Sequence, residues 1–126
     1  KDNNGRIQLC TFMYNDLKLM IGNFYNNNIE AEQVESMKKL GEMLEYLNPF
    51  EYEIIIGGDW NFIQDKSLDA FGGNPILKLN SIAEITKIKN KFQLCDIFRV
   101  RNATKRQYTF RKPTPRLMRR LDFFLV

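Results

Sequence analysis

Histidine is absent from all 126 residues of the chain. Its absence removes the side chain used most often as a general base and as a transition-metal ligand. Any catalysis must therefore rest on carboxylates, amides, tyrosine or lysine, or on protein outside this segment. Cysteine is nearly as scarce. Cys10 and Cys95 are too few and too far apart for a metal cluster, and their apolar surroundings predict buried thiols rather than a disulfide. No apolar run approaches the roughly 20 residues needed to cross a bilayer, and nothing at the start resembles a signal peptide. Internal repeats are missing, and the only biased tract is the triplet Asn26-Asn27-Asn28. What remains is an ordinary apolar fraction of 44%, enough at this length for one domain with a real core. The chain starts at Lys1 without a methionine and stops at Val126 inside an apolar run, the expected look of a segment from a longer polypeptide.

The run Glu53-Ile54-Ile55-Ile56-Gly57-Gly58-Asp59-Trp60-Asn61-Phe62 carries the most information. Three consecutive isoleucines predict a buried strand, and the two glycines predict a sharp break that leaves Asp59 and Asn61 at its carboxyl end. Strands are also expected over Arg6 to Tyr14 and Leu17 to Phe24, paired as a hairpin through Asn15-Asp16. Apolar residues at helical spacing predict one helix over Glu30 to Leu47, ended by Asn48-Pro49, and a second opened by Pro75. The core face of the second is read as Ile76, Leu79, Ile82, Ile85 and Ile88, with Lys78, Lys87, Lys89 and Lys91 toward solvent. Gln64 to Asn74 reads as a loop, and short strands are expected at Tyr108 to Phe110 and Arg120 to Val126. This order suggests helices packed on a mixed sheet.

Several residues could carry chemistry. Asp59 can bind Mg²⁺ or help activate water and Asn61 can hold a phosphate oxygen, although Gly-Asp-x-Asn also suits a plain turn. Tyr25 and Asn28 lie just past a strand, where a tyrosine hydroxyl can donate to phosphate or merely edge a polar loop. Asp122 interrupts an apolar strand, which suits either catalysis or an ion pair with Arg119 or Arg120. From Arg99 to Arg120 the chain holds nine Lys or Arg and no acid, more than its whole net charge of +4. With Thr109 interleaved, this stretch fits a phosphate backbone or a solvated surface.

Four segments in order resemble the endonuclease/exonuclease/phosphatase superfamily, and more closely the apurinic-type endonuclease domain of non-LTR (LINE-type) retrotransposons. Asn23-Phe24-Tyr25-Asn26-Asn27-Asn28 resembles its strand-end tyrosine segment, and Gly57-Gly58-Asp59-Trp60-Asn61-Phe62 its Gly-Asp-(Phe/Trp)-Asn motif. Leu94-Cys95-Asp96-Ile97-Phe98-Arg99 with Tyr108-Thr109-Phe110 resembles two further elements, and Arg120-Leu121-Asp122-Phe123-Phe124 the Arg-(Ile/Leu)-Asp-Tyr strand.

The resemblance implies a deoxyribonuclease-like α/β (α+β) fold, a partial four-layer sandwich built on mixed β-sheets. Residues 1–126 would be the carboxyl-terminal half or more of one domain, lacking its first strands and last strand. It implies Mg²⁺-dependent hydrolysis of DNA phosphodiesters, with Asp59, Asn61, Tyr25 and Asp122 catalytic. Asn28, Thr109, Arg111 and Lys112 would bind substrate, while Asp96 and Arg99 are structural. Asp59 and Asn61 would also touch the metal, but its main glutamate, a further asparagine and the catalytic histidine lie outside the chain, so this segment alone is expected to show little nuclease activity. A retroelement polyprotein fused to a reverse transcriptase, acting in the nucleus, is the implied context. The alternatives are a phosphatase or phosphodiesterase of the same superfamily, or a non-catalytic nucleic-acid-binding remnant. Sheet edges and apolar surface are expected to be exposed, with aggregation in isolation.

Overall fold

A hairpin opens the computed structural model, which describes every residue from Lys1 to Val126. Strands β1 (Ile7–Tyr14) and β2 (Leu17–Tyr25) pair antiparallel with Tyr14 opposite Leu17. Asn15 and Asp16 both take positive φ, 46° and 66°, as the two-residue turn that matches strand twist requires. Helix α1 (Glu30–Tyr46) then crosses back, and β3 (Glu53–Asp59) adds parallel to β2. The α1 stripe buries Gln33, Met37, Leu40 and Leu44, and Asn48 at φ 53° turns the chain out of the helix into Pro49.

Beyond β3 come the one-turn helix α2 (Lys66–Asp69), β4 (Ala70–Phe71), α3 (Leu79–Phe92) and α4 (Ile97–Arg101). Strands β5 (Phe110–Lys112), β6 (Leu117–Arg119) and β7 (Asp122–Leu125) finish the chain. The main sheet has the order β1-β2-β3-β7, with β7 antiparallel to β3, and a small antiparallel sheet has the order β4-β6-β5.

Helices α1 and α3 cover one face of the main sheet. Between them and the strands lies a continuous core that includes Ile7, Met20, Phe24, Met37, Leu44, Ile56, Ile85, Phe92 and Leu125. Trp60 is its keystone. The indole is fully buried, stacked on Phe123 at 4.9 Å and tilted against Phe24 at 4.6 Å, and its Nε1–H donates to the Phe123 carbonyl at 3.1 Å. The opposite face of the sheet is open. By strand alternation and register Phe12, Tyr14, Leu17, Ile21, Ile55 and Phe124 share it, and all are exposed.

The structure departs from the sequence reading at several points. Ile54 and Ile56 are buried but Ile55 faces the open side, because β3 alternates like any strand covered on one face. The glycines do not break the strand: β3 runs through both to Asp59. The expected loop from Gln64 to Asn74 contains α2 and β4, stabilised by the Asp65 side chain, which accepts from the N–H groups of Ser67 and Leu68. Helix α3 begins at Leu79 rather than Pro75, which leaves Ile76 and Leu79 exposed. Cys10 is exposed on the open face, and neither cysteine is bonded.

Candidate active site

Parallel pairing of β2 with β3 brings two carboxyl ends together, and antiparallel β7 starts beside them. As a result Tyr25, Asp59 and Asp122 are direct partners in one row across three adjacent strands. Direct partners point to the same face. The row therefore sits at one end of the open face, with Tyr25 49% exposed and Asp122 exposed beside it.

The two glycines make this geometry possible. Gly58 has φ 154°, in a region that L side chains rarely adopt, and lies directly against the Phe24 backbone. The ring of Phe124 lies over Gly57. After Asp59 the chain turns at once. Asn61 takes φ 56°, a left-handed conformation that asparagine tolerates, and its backbone N–H donates to Asp59 Oδ1 at 3.0 Å. The Asn61 amide Nδ2 donates to the Asn26 carbonyl at 2.9 Å, and the Asn26 N–H donates to the Asp59 carbonyl at 2.8 Å. The Tyr25–Asn28 loop and the Asp59–Asn61 turn are thus stitched into one unit.

Two residues that the sequence did not single out hold this unit together. Gln33 of α1 is fully buried. Its Nε2 donates to the carbonyls of Asn27 at 2.7 Å and Asn61 at 2.9 Å, while its Oε1 accepts from Ser81 Oγ of α3 at 2.8 Å. Lys78, expected toward solvent, is half-buried, and its Nζ donates to the carbonyls of Asn28 at 2.6 Å and Asn61 at 3.1 Å. Gln33 was visible in principle as a polar residue in register with Met37, Leu40 and Leu44. Lys78 precedes its helix and carried no such signal.

The electrostatics of the row follow from its placement. Burial pushes the Asp59 carboxyl above its ordinary value, the Asn61 N–H pulls it back, and the neighbouring Asp122 charge raises it further. Burial pushes the Lys78 ammonium below its usual value, an effect partly offset by Glu30. Asp122 makes no ion pair with Arg119 or Arg120. Its N–H and that of Leu121 donate to Thr109 Oγ1 at 3.1 and 3.0 Å, so Thr109 fixes the start of β7 beside the row. Arg120 turns inward and grips Asp96 through two bonds of 2.7 and 2.8 Å, sandwiched between the rings of Phe98 and Phe123. Arg99 pairs with Asp69, whose other oxygen accepts from the N–H groups of Gln64 and Asp65. Asp96 and Arg99 are thus parts of a buried charge network that ties the segment after the turn to β7. Arg111 and Lys112 are exposed on β5, in the small sheet that Thr109 joins to the row. No three His, Cys, Asp or Glu side chains gather into a metal-binding group.

The structure is similar to that of the AP endonuclease LMAP from Leishmania major, with a TM-score of 0.75 and 17% identity, covering 98% of this chain and 46% of that one. The chain has the endonuclease/exonuclease/phosphatase fold. A TDP2 from D. rerio, humanized by 14 mutations, shares this fold with a TM-score of 0.63 and 14% identity, over 94% of this chain and 43% of that one. So does the endonuclease domain of TRAS1, a telomere-specific non-LTR retrotransposon, with a TM-score of 0.58 and 14% identity, over 95% of this chain and 49% of that one. The chain therefore spans less than half the length of each of these structures. No protein-family model and no curated protein matches the sequence. In this fold the mixed strands and the deoxyribonuclease-like architecture expected from the sequence are both present.

Proposed function

We propose that this chain forms part of a DNA endonuclease domain that hydrolyses phosphodiester bonds with the help of Mg²⁺. The observation that carries the reading is the register row Tyr25–Asp59–Asp122, placed at the carboxyl ends of two parallel strands and flanked by the Asn61 turn. Two carboxylates, a phenol and an amide in so small an area supply what in-line attack on a phosphate needs. Asp59, with its raised proton affinity, accepts a proton from or orients an attacking water. The Tyr25 hydroxyl donates to a phosphate oxygen, and the second N–H of the Asn61 amide is left for the same task. Asn28 contacts the strand beside Tyr25, and Thr109 acts by holding Asp122. Arg111 and Lys112 hold neighbouring phosphates of the duplex, where cations displace condensed counterions.

The donor set fits Mg²⁺ in part. Asp59 Oδ1 is engaged by the Asn61 N–H, so Oδ2 and the Asn61 side-chain oxygen are the protein atoms that would hold the ion. Mg²⁺ habitually keeps several waters and takes only one or two carboxylates with substrate phosphate. When bound it would neutralise charge developing on the phosphate oxygens.

Two assays test the reading. The 126-residue chain binds duplex DNA, and a longer polypeptide containing it nicks supercoiled plasmid in Mg²⁺, with nicking abolished by Asp59→Ala. Turnover of inositol phosphates with no plasmid nicking would overturn it, as would robust nicking insensitive to Asp59→Ala. The proposed setting is a retroelement polyprotein with a reverse transcriptase, working in the nucleus. Flanking coding sequence with an upstream Asn and Glu, a downstream Ser-Asp-His and a reverse transcriptase would support that setting, and early stop codons would refute it.

A further inference from the structure

Lys78 is a cation that bridges both halves of the row's scaffold, and the proposed chemistry leaves it unused. An ammonium has three N–H donors. Two are spent on the carbonyls of Asn28 and Asn61, at 2.6 and 3.1 Å, and the third has no partner in the protein. No carboxylate lies within 4.0 Å of it to form an ion pair. Glu30, which acts on Lys78 at longer range, accepts at Oε1 from the Asn80 N–H at 2.8 Å. Other lysines of this region differ: Lys87 pairs with Glu84, Lys89 donates to Gln64 and Lys91 pairs with Glu45. An ammonium seated on neutral carbonyls with no carboxylate in contact has its charge available to a group outside the protein, and it is held at the edge of the loop that presents Tyr25 and Asn28.

We propose that Lys78 is a phosphate contact: its ammonium, seated on the Asn28 and Asn61 carbonyls, gives its remaining N–H to a backbone phosphate of a nucleic-acid strand lying along the Tyr25–Asp59–Asp122 row. The inference rests on the nucleic-acid reading above and deepens it by adding a cation on the Asn28 side of the row. Arg111 and Lys112 belong to the small sheet on the Asp122 side. A strand running along the row would then be held at both ends.

Charge and hydrogen bonding separate in two substitutions. Lys78→Gln keeps a donor for the two carbonyls and removes the charge; Lys78→Arg keeps the charge. Affinity of the 126-residue chain for a short DNA duplex is measured by fluorescence anisotropy across a range of KCl, with urea unfolding as a check on folding. Each phosphate contact adds about 0.9 to the slope of log K against log salt. Lys78→Gln is expected to lower the slope by about that amount, Lys78→Arg to retain it, and Lys87→Gln to leave it unchanged. Wild-type slope in folded Lys78→Gln would overturn the role of Lys78 while leaving the nucleic-acid reading intact. Should Lys78→Gln not fold, Lys78→Arg decides: a slope lowered by the same amount despite the retained charge would overturn the proposal. Absence of salt-dependent binding by the wild type would remove the nucleic-acid reading and this inference together.

Discussion

Replacing Gly58 with alanine tests how the two strands beneath the row are joined. An ideal Cβ at this position would overlap the carbonyl oxygen of Phe24 and lie 2.7 Å from its carbonyl carbon and 2.9 Å from its nitrogen. Carbon and carbonyl oxygen rarely approach closer than about 3.3 Å, so β2 and β3 would have to part at their carboxyl ends. Neither can yield alone, because β2 is paired on its other side to β1 and β3 to β7. The φ of 154° adds backbone strain of about 1–3 kcal/mol for a residue with a Cβ. Losing two or three strand-end hydrogen bonds, including the Asn26 N–H to Asp59 carbonyl, adds about 1 kcal/mol each. The sum, about 3–6 kcal/mol, is a large part of the 5–15 kcal/mol that a domain usually has. Gly57→Ala provides the contrast. Its Cβ would overlap Cε1 of the Phe124 ring and lie 2.6 Å from Cδ1 and 3.1 Å from Cζ, but these are side-chain atoms of a ring that is 56% exposed, with solvent to move into. Rotating it off its preferred position costs about 0.5–1.5 kcal/mol, offset in part by the lower entropy of the unfolded alanine chain. Urea unfolding followed by Trp60 fluorescence reads both, since this single, fully buried tryptophan stacks on β7 and touches β2. A Gly57→Ala protein as unstable as Gly58→Ala, or a Gly58→Ala protein within 1 kcal/mol (roughly) of wild type, would refute the reasoning.

Asp59→Asn is expected to raise the melting temperature at pH 7, since the folded state holds the Asp59 carboxyl above its ordinary 3.8. Above the folded pKa the buried charge works against folding; as pH falls through that value the folded protein takes up a proton first, and the penalty disappears. The advantage of the variant should therefore shrink in acid, and a gain that grows below pH 3.8 would show that another group is responsible. Arg120→Met should cost about 3–5 kcal/mol, because it strands the buried Asp96 carboxylate and weakens the surroundings of Asp69. Adding Asp96→Asn, which removes the stranded charge and keeps an oxygen to cap α4 at the Arg99 N–H, should restore part of the loss in urea unfolding; no recovery would mean that Arg120 acts by packing between Phe98 and Phe123 rather than by charge.

Much of the fold was legible because it rests on local signals. Asn15-Asp16 specifies the hairpin turn through its tolerance of positive φ, and the α1 stripe fixes which side of that helix meets the sheet. The Tyr25 and Asp59 segments were expected at the ends of strands and lie there, whereas Asp122, expected inside a strand, opens β7. What failed depended on partners distant in sequence. Ile55 looks buried until β2 and β7 are seen to leave one face of the sheet open. The two glycines read as a break, yet each marks a close approach, Gly58 to the Phe24 backbone and Gly57 to the Phe124 ring. Pro75 suits a helix start, but α3 waits for Leu79, where Glu30 reaches across from α1 to accept from the Asn80 N–H. Asp122 and Arg120 are close in sequence and of opposite charge, but β7 alternation sends one outward and the other is claimed by Asp96.

The parallel pairing of β2 with β3 also dictates when the row comes into being. A hairpin such as β1–β2 closes locally and early, whereas a parallel pair must wait for its crossover, here the whole of α1, to be in place. Asp122 needs a second long-range pairing, that of β7 with β3. Tyr25, Asp59 and Asp122 therefore meet only when β2, β3 and β7 are all paired, so the row rests wholly on contacts between segments far apart in sequence.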